Sequence, residues 1–237
     1  MSTISRIFSA ELEGIDAKLI EVETDINVGL ANFTIVGLAD KALSEAKERV
    51  NSALKNTGVK APNRENRRIV VNLAPADVKK TGSQYDLAIA VGYLLATNQI
   101  KGFDTAGKIF LGELSLDGRL RPINGALSVA SLARDAGFRE VYLPPENVRE
   151  AAVVPEVSAI PIKTLGALID HLEGRRTIEP EPRAYPVPEA SAPFAEIGDV
   201  KGHASAKRAL AIAAAGGHNL LMVGPPGTGK TMLAQAL

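Results

Sequence analysis

The stretch Asn219-Leu-Leu-Met-Val-Gly-Pro-Pro-Gly-Thr-Gly-Lys-Thr231 decides how this chain is read. Asn219 to Val223 is a continuous apolar run, the pattern of a strand buried in a parallel sheet. Gly224 to Thr231 fits G-x-x-x-x-G-K-[ST], and Met232 to Leu237 favours a helix. Gly224, Gly227 and Gly229 let the chain wrap an anion in conformations a side chain would block. Successive backbone N–H groups, with a helix N-terminus behind them, would then point at a β-phosphate. Lys230 reaches the β- and γ-phosphates, and the Thr231 hydroxyl supplies one ligand to Mg²⁺. The expected nucleotide contacts are therefore Gly224, Pro225, Pro226, Gly227, Thr228, Gly229, Lys230 and Thr231, with Thr231 on the metal. The rival reading, a Gly/Pro-rich turn that happens to carry Lys-Thr, leaves the strand–loop–helix context unexplained. The loop alone does not choose between ATP and GTP.

Hydrolysis needs more than this loop. An acidic residue on a later strand must serve Mg²⁺ and water, and an arginine finger usually follows. Neither can lie within residues 1–237, so no catalytic residue is assigned. The expectation is a piece of a longer protein that does not hydrolyse nucleotide alone.

Just before the loop, Ala204 to Ala215 reads as a helix ended by Gly216-Gly217, with Ala206, Leu210, Ala213 and Ala214 as its inner stripe. His218 fits a packing or capping role better than a nucleotide-sensing one. Further upstream the composition changes. Five prolines fall between Ile178 and Pro193, interleaved with Glu181, Arg183, Glu189 and Ser191. Proline fixes φ and removes a donor, so residues 176–193 read as an extended, solvated linker. It separates a domain over 1–175 from the start of another over 194–237. At about forty residues the latter is below the size that stabilises a core alone.

Residues 1–175 alternate strand and helix signals, which predicts a mixed α/β domain. Strands are expected at 17–26, 33–36, 68–73, 108–111, 140–143 and 157–162, and helices at 85–96, 125–136 and 165–172. A further helix starts at Asp40, a candidate cap, with Leu43, Ala46, Val50, Ala53 and Leu54 on one face and Gly58 beyond its end.

Composition narrows the chemistry. The 27 basic residues balance 27 acidic ones, which excludes a wholesale electrostatic grip on nucleic acid or membrane. With no cysteine and three scattered histidines, disulfides, thiolate nucleophiles and a structural zinc are all disfavoured. The apolar run Leu87 to Ala96 is too short to cross a bilayer, and Met1 to Arg6 shows no secretory signal. A cytoplasmic protein with no membrane contact is expected.

Residues 194–231, with Gly37-Leu38, Val71-Asn-Leu-Ala-Pro-Ala-Asp77 and Gly82-Ser-Gln-Tyr-Asp-Leu87, resemble the YifB/ComM group of magnesium-chelatase-like AAA+ ATPases. The resemblance covers essentially the whole chain. It implies a homo-hexameric ring that uses ATP and Mg²⁺, and, in the competence branch, a DNA helicase driving branch migration. It also implies an N-terminal α+β domain with the fold shared by the second domain of ribosomal protein S5 and the Lon protease domain. An adenine pocket at Val200 to Gly202 rests on the same resemblance. The alternatives kept open are a chelatase-like motor remodelling a protein partner and a non-catalytic, ATP-switched adaptor.

The Lon-like kinship raises a protease reading. Ser83 sits where a nucleophile would, but in Arg121-Pro-Ile-Asn-Gly-Ala-Leu-Ser128 the position of the activating lysine is Leu127, which takes no proton. Ser83-x-x-Asp86 also has capping-box spacing, and that role is expected instead. For DNA, the densest basic region is Arg64, Arg67, Arg68, Lys79 and Lys80, either a phosphate-facing cluster or a solvated loop rim tempered by Glu65 and Asp77. The rim reading is favoured. Aromatics are 4% of the chain with no tryptophan, so no base-stacking platform is visible.

Overall fold

A computed structural model describes residues 4–37, 43, 45–62, 66–183 and 196–236 of the protein. The chain forms two compact units, Met1–Tyr185 and Pro186–Leu237.

The larger unit contains β1 (Ser5–Glu13), β2 (Asp16–Val28), β3 (Asn32–Val36), β4 (Arg67–Ala74), β5 (Lys108–Phe110), β6 (Glu113–Leu114), β7 (Leu120–Arg121), β8 (Glu140–Leu143) and β9 (Ser158–Pro161). Its helices are α1 (Ala46–Asn56), α2 (Asp86–Ala96), α3 (Ala126–Asp135), α4 (Val148–Ala151) and α5 (Leu165–Leu172). Seven strands make one sheet in the order β3-β4-β2-β1-β5-β8-β9, and β6 with β7 makes a separate hairpin. β2 runs antiparallel to β1 and β4, while the other four neighbouring pairs are parallel. Parallel neighbours need a crossover, and α1, α3 and α4 provide it for β3–β4, β5–β8 and β8–β9.

Both faces of the sheet are covered. Ile7, Ile20, Val22, Ile69, Val71 and Leu73 share one core with α1, α2 and α5. Ala10, Ile109, Leu111, Val141 and Leu143 share another with α3 and α4. In α1 the expected face is the buried one, Ala46, Val50, Ala53 and Leu54, joined by Leu43. Gly58 follows the helix at φ +86°, a turn that a Cβ would strain. Asp40 lies outside the described residues. Nearly every side chain of α2 is buried, which explains why its sequence carries no polar face.

β1 is the strand that the sequence reading lacks, yet it lies at the centre of the sheet. It pairs with β2 along its whole length and with β5 through Phe8 and Ile109. Hydrophobic alternation does not reveal it because Ser5, Ser9 and Glu11 are buried beside Ile7. Ser5 Oγ donates to the Gly92 carbonyl at 2.7 Å, and Glu11 accepts from Gln84 and Tyr85 at the other end of α2. α2 approaches closely here: a Cβ on Gly92 would stand 2.7 Å from Thr24 Oγ1.

Two hydroxyls in this layer, Ser9 Oγ and Thr24 Oγ1, are buried with no hydrogen-bond partner among the described residues. An orphaned buried hydroxyl carries its desolvation cost uncompensated. Thr24→Val keeps the shape and removes the polar atom, so urea denaturation should show a gain of about 1 kcal/mol.

Candidate functional site

The smaller unit is held by a small core of Val200, Leu210 and Leu233, with Ile197, Ala206, Met222 and Ala236 against it. Its helices are α6 (Ala204–Gly216) and α7 (Lys230–Gln235). Leu210 and Ala213 of the expected α6 stripe are buried and Ala206 is half-buried, but Ala214 is exposed because so small a core covers only a narrow face. Gly217 ends the helix at φ +62°, and the His218 N–H donates to the Ala213 carbonyl at 2.9 Å. The His218 side chain itself is exposed.

The glycine loop has the form its sequence demands, with one exception. Gly227 and Gly229 take positive φ of 79° and 73°, and Gly229 opens α7. Gly224 does not need a left-handed conformation; its lack of a Cβ leaves room beside Thr228 Oγ1, which that atom would approach to 3.4 Å. Thr228 Oγ1 donates to the Pro225 carbonyl at 2.9 Å. Lys230 Nζ donates to the carbonyls of Gly224 and Pro225 at 2.9 and 2.7 Å, so the ammonium sits over the loop rather than reaching away from it.

A cavity of about 420 Å³ opens beside the loop, lined by Gly224, Pro225, Thr228 and Lys230 and by Leu220 to Val223 and His203. The first N–H groups of α7 have no partner inside the helix. Lys230 lines this cavity with Gly224, Pro225 and Thr228, and the left-handed Gly227 and Gly229 and the start of α7 belong to the same loop, a set of groups that could hold the phosphates of a nucleotide, with the next residue, Thr231, able to offer a hydroxyl to a metal. Val200 does not line this cavity; it is committed to the core, and His203 takes the place beside the loop. His203 has φ +52°, an uncommon backbone for a residue with a side chain, and no spacing rule would have singled it out.

Asn219 to Val223 is not a strand in this structure, contrary to its apolar pattern. A strand exists only by pairing, and no neighbour pairs with these residues among those described. Leu221 and Val223 are consequently 87% and 86% exposed.

The N-terminal unit has a second polar cavity, of about 410 Å³, between the end of β1 and the start of α2. Ser83 lines it and donates to the Glu113 carboxylate, which also pairs with Arg121 at 3.1 Å. Ser83 is not the cap of α2: Tyr85 occupies that position and no side chain caps the helix. Asp86 is not half of a capping box either. It is fully buried, and Arg49 of α1 grips it through two hydrogen bonds of 2.6 and 3.1 Å. The Leu114 N–H adds a third at 3.1 Å. Capping-box spacing failed here because the half-buried Arg49 guanidinium outcompetes a helix N–H for the buried carboxylate.

The position expected to lack a lysine is Leu127, half exposed, and its N–H donates to Glu150 at 3.0 Å. Lys80 is the nearest lysine in sequence to Ser83, but its amine donates to the Pro75 carbonyl. Burial pushes the Lys80 ammonium below its ordinary value. Neither residue is arranged to activate a serine.

The basic cluster does not assemble. Arg67 and Arg68 stand at the start of β4, while Lys79 and Lys80 follow its end, roughly 20 Å of strand away. Arg64 and Glu65 lie outside the described residues. Lys80 is buried completely, so it belongs to no solvated rim. Among the described residues no group of acidic and histidine side chains could hold a metal, and no helix is long and apolar enough to cross a membrane.

Fold and loop together define a mixed α/β protein that carries the start of a P-loop ATPase domain. Residues 22–147 match the family described as subunit ChlI of Mg-chelatase, and residues 196–237 match magnesium chelatase, subunit ChlI. The chain belongs to this magnesium-chelatase-like family of AAA+ ATPases, in its YifB/ComM group. It is 39% identical over 241 residues to competence protein ComM of Haemophilus influenzae, covering 99% of this chain and 46% of that protein. It is 39% identical over 240 residues to the uncharacterized protein YifB of Escherichia coli, covering 99% of this chain and 45% of YifB. A Lon protease of Rhizobium meliloti is 24% identical over 184 residues, which cover 73% of this chain and 22% of the protease. The chain thus spans about half the length of the YifB and ComM relatives.

Proposed function

We infer that the chain is the nucleotide-loading half of an ATP-driven hexameric motor that acts on DNA in the cytoplasm as a helicase promoting branch migration. The observation that carries the nucleotide part is the loop itself, with Gly227 and Gly229 left-handed and Lys230 lining the cavity beside Gly224, Pro225 and Thr228. Gly224 to Thr231, including Pro225, Pro226 and Thr228, would hold the phosphates, and Thr231 the Mg²⁺. Bound Mg²⁺-ATP supplies the phosphoryl-transfer energy. The chain's own residues bind and orient: Lys230 brings positive charge to the phosphates, and α7 points its N-terminus at them.

What supports DNA as the substrate is the kinship with a protein named for competence. The exposed Leu221 and Val223 fit a strand that completes its pairing with further parts of a larger ATPase domain. In the full-length protein, the ATPase rate is expected to rise several-fold with single-stranded or branched DNA. A rate indifferent to every DNA would overturn the DNA assignment and favour a protein client, as in a chelatase-like motor. No ATPase at all would favour the adaptor.

A further inference from the structure

The proline-rich segment does not leave the N-terminal unit where α5 ends. The N–H groups of Arg175 and Arg176 both donate to the Asp170 carbonyl, at 2.8 and 3.1 Å, and turn the chain back. The Ile178 N–H then donates to Nδ1 of His171 at 3.0 Å, and Ile178 packs against the core. Three residues on, the Glu181 N–H donates to the Ala159 carbonyl of β9 at 2.8 Å. The Glu181 carboxylate lies 3.6 Å from Arg149 Nε on α4. The segment therefore runs along β9, the outer strand of the sheet, and covers backbone groups that an edge would otherwise present.

We propose that Ile178–Glu181 is a clasp fastened by His171, and that protonation of the imidazole opens it. Fastened, Ile178–Glu181 lies on the N-terminal unit; open, this segment is released from His171 and β9.

The chemistry is that of a lone pair. Nδ1 accepts the Ile178 N–H only while it carries no proton, which places the neutral ring's hydrogen on Nε2. An added proton makes both ring nitrogens donors, and two donors then face each other at 3.0 Å. The imidazole's centre lies 5.7 Å from that of the Tyr142 ring, whose hydroxyl donates to Glu140 at 2.5 Å. Glu140 is in turn bridged by Lys108 at 3.5 Å. On the ring's own helix, Asp170 is held by Arg175, as is Glu173 just beyond it. Burial pushes the His171 imidazole below its ordinary value, Glu140 pulls it back up and Lys108 pushes it down further.

The sign follows. The ring in the clasped state binds a proton less readily than a free imidazole, so the clasp is whole above pH 6.5 and weakens as pH falls. One proton changes an equilibrium by at most about tenfold per pH unit.

Amide hydrogen exchange by NMR on the 237-residue chain, from pH 7.5 to about 5 and corrected for intrinsic rates, tests this. For the Ile178 and Glu181 amides, the opening constant is expected to rise toward tenfold per unit on the acid side. His171→Asn, which offers a carbonyl oxygen that does not titrate, should keep these amides protected and flat with pH. His171→Phe should leave them open about tenfold or more at every pH, while the α2 amides stay protected and report an intact fold. Protection in the unaltered protein that does not change with pH overturns the proposal, as does protection in His171→Phe equal to that of the unaltered protein.

Discussion

Lys230→Ala should abolish the ATPase of the full-length protein, lowering its rate by at least about 10²-fold, the scale seen when one stabilising donor is removed from a reaction centre. The reason is visible in the loop. Lys230 Nζ lies 2.9 and 2.7 Å from the Gly224 and Pro225 carbonyls, and among the described residues it is the only lysine or arginine lining this cavity. Alanine leaves the left-handed Gly227 and Gly229 and the helix start in place, so some phosphate affinity survives. A titration of the 237-residue chain with a fluorescent ATP analogue should show weaker binding with an unchanged far-ultraviolet circular dichroism spectrum. A variant that retained its ATPase rate would show that the cavity beside the loop is not where nucleotide is turned over.

The largest effect on stability is expected at Arg49→Ala, a loss of about 3–5 kcal/mol in urea denaturation at pH 7. Asp86 has no exposed side-chain surface, and its partner Arg49 is 19% exposed. Removing the guanidinium leaves a carboxylate that water cannot reach, with only the Leu114 N–H remaining at 3.1 Å. Replacing both partners by apolar residues, Arg49→Met with Asp86→Leu, should recover most of the loss, because the cost lies in the stranded charge. Burial pushes the Asp86 carboxyl up to about 6, while Arg49 and the Leu114 N–H pull it down less strongly.

That shift has a direction in pH. Between the ordinary carboxyl value near 4 and about 6, the folded protein holds more of a proton at Asp86 than the unfolded chain does. Its contribution to stability is therefore greatest at the acid end and declines as pH rises through this window, by up to about 3 kcal/mol. Asp86→Asn should flatten that part of the profile.

The elements that the sequence made legible were those with one dominant environment. Leu43 to Leu54 has one apolar face and one polar face, and the structure buries the expected one. Glu140 to Leu143 and Leu165 to Leu172 are framed by Gly, Pro and Thr, and their bounds agree with the structure. β1 was hidden because its buried face mixes Ile7 with Ser5, Ser9 and Glu11, and the partners of Ser5 and Glu11 sit some seventy to ninety residues away. Ser83 and Asp86 misled for a related reason. Local spacing suggested a cap, while the pairing with Glu113 and Arg49 depends on tertiary neighbours that no spacing rule encodes.

The form of the glycine loop was legible because its determinants are local. Gly227, Gly229 and Lys230 act within a few residues of one another, so spacing alone conveys the geometry. The neighbouring strand was misread for the converse reason: Leu221 and Val223 carry the pattern of a buried strand, but pairing is a property of two segments.

The central place of β1 sets an order of events during synthesis. Once Ser5–Glu13 has left the ribosome, its neighbour β2 follows at once across the tight turn at Gly14 and Ile15. Its other neighbour, β5, is translated about a hundred residues later, with β8 and β9 later still. The β3-β4-β2-β1 half can therefore assemble first, leaving one flank of β1 open until Phe8 meets Ile109. At roughly 5–20 residues per second, that flank waits several seconds for its partner. Long-range closure of this kind slows folding and exposes an unpaired strand in the interval, so the nascent half-sheet is where this protein most needs a chaperone's cover.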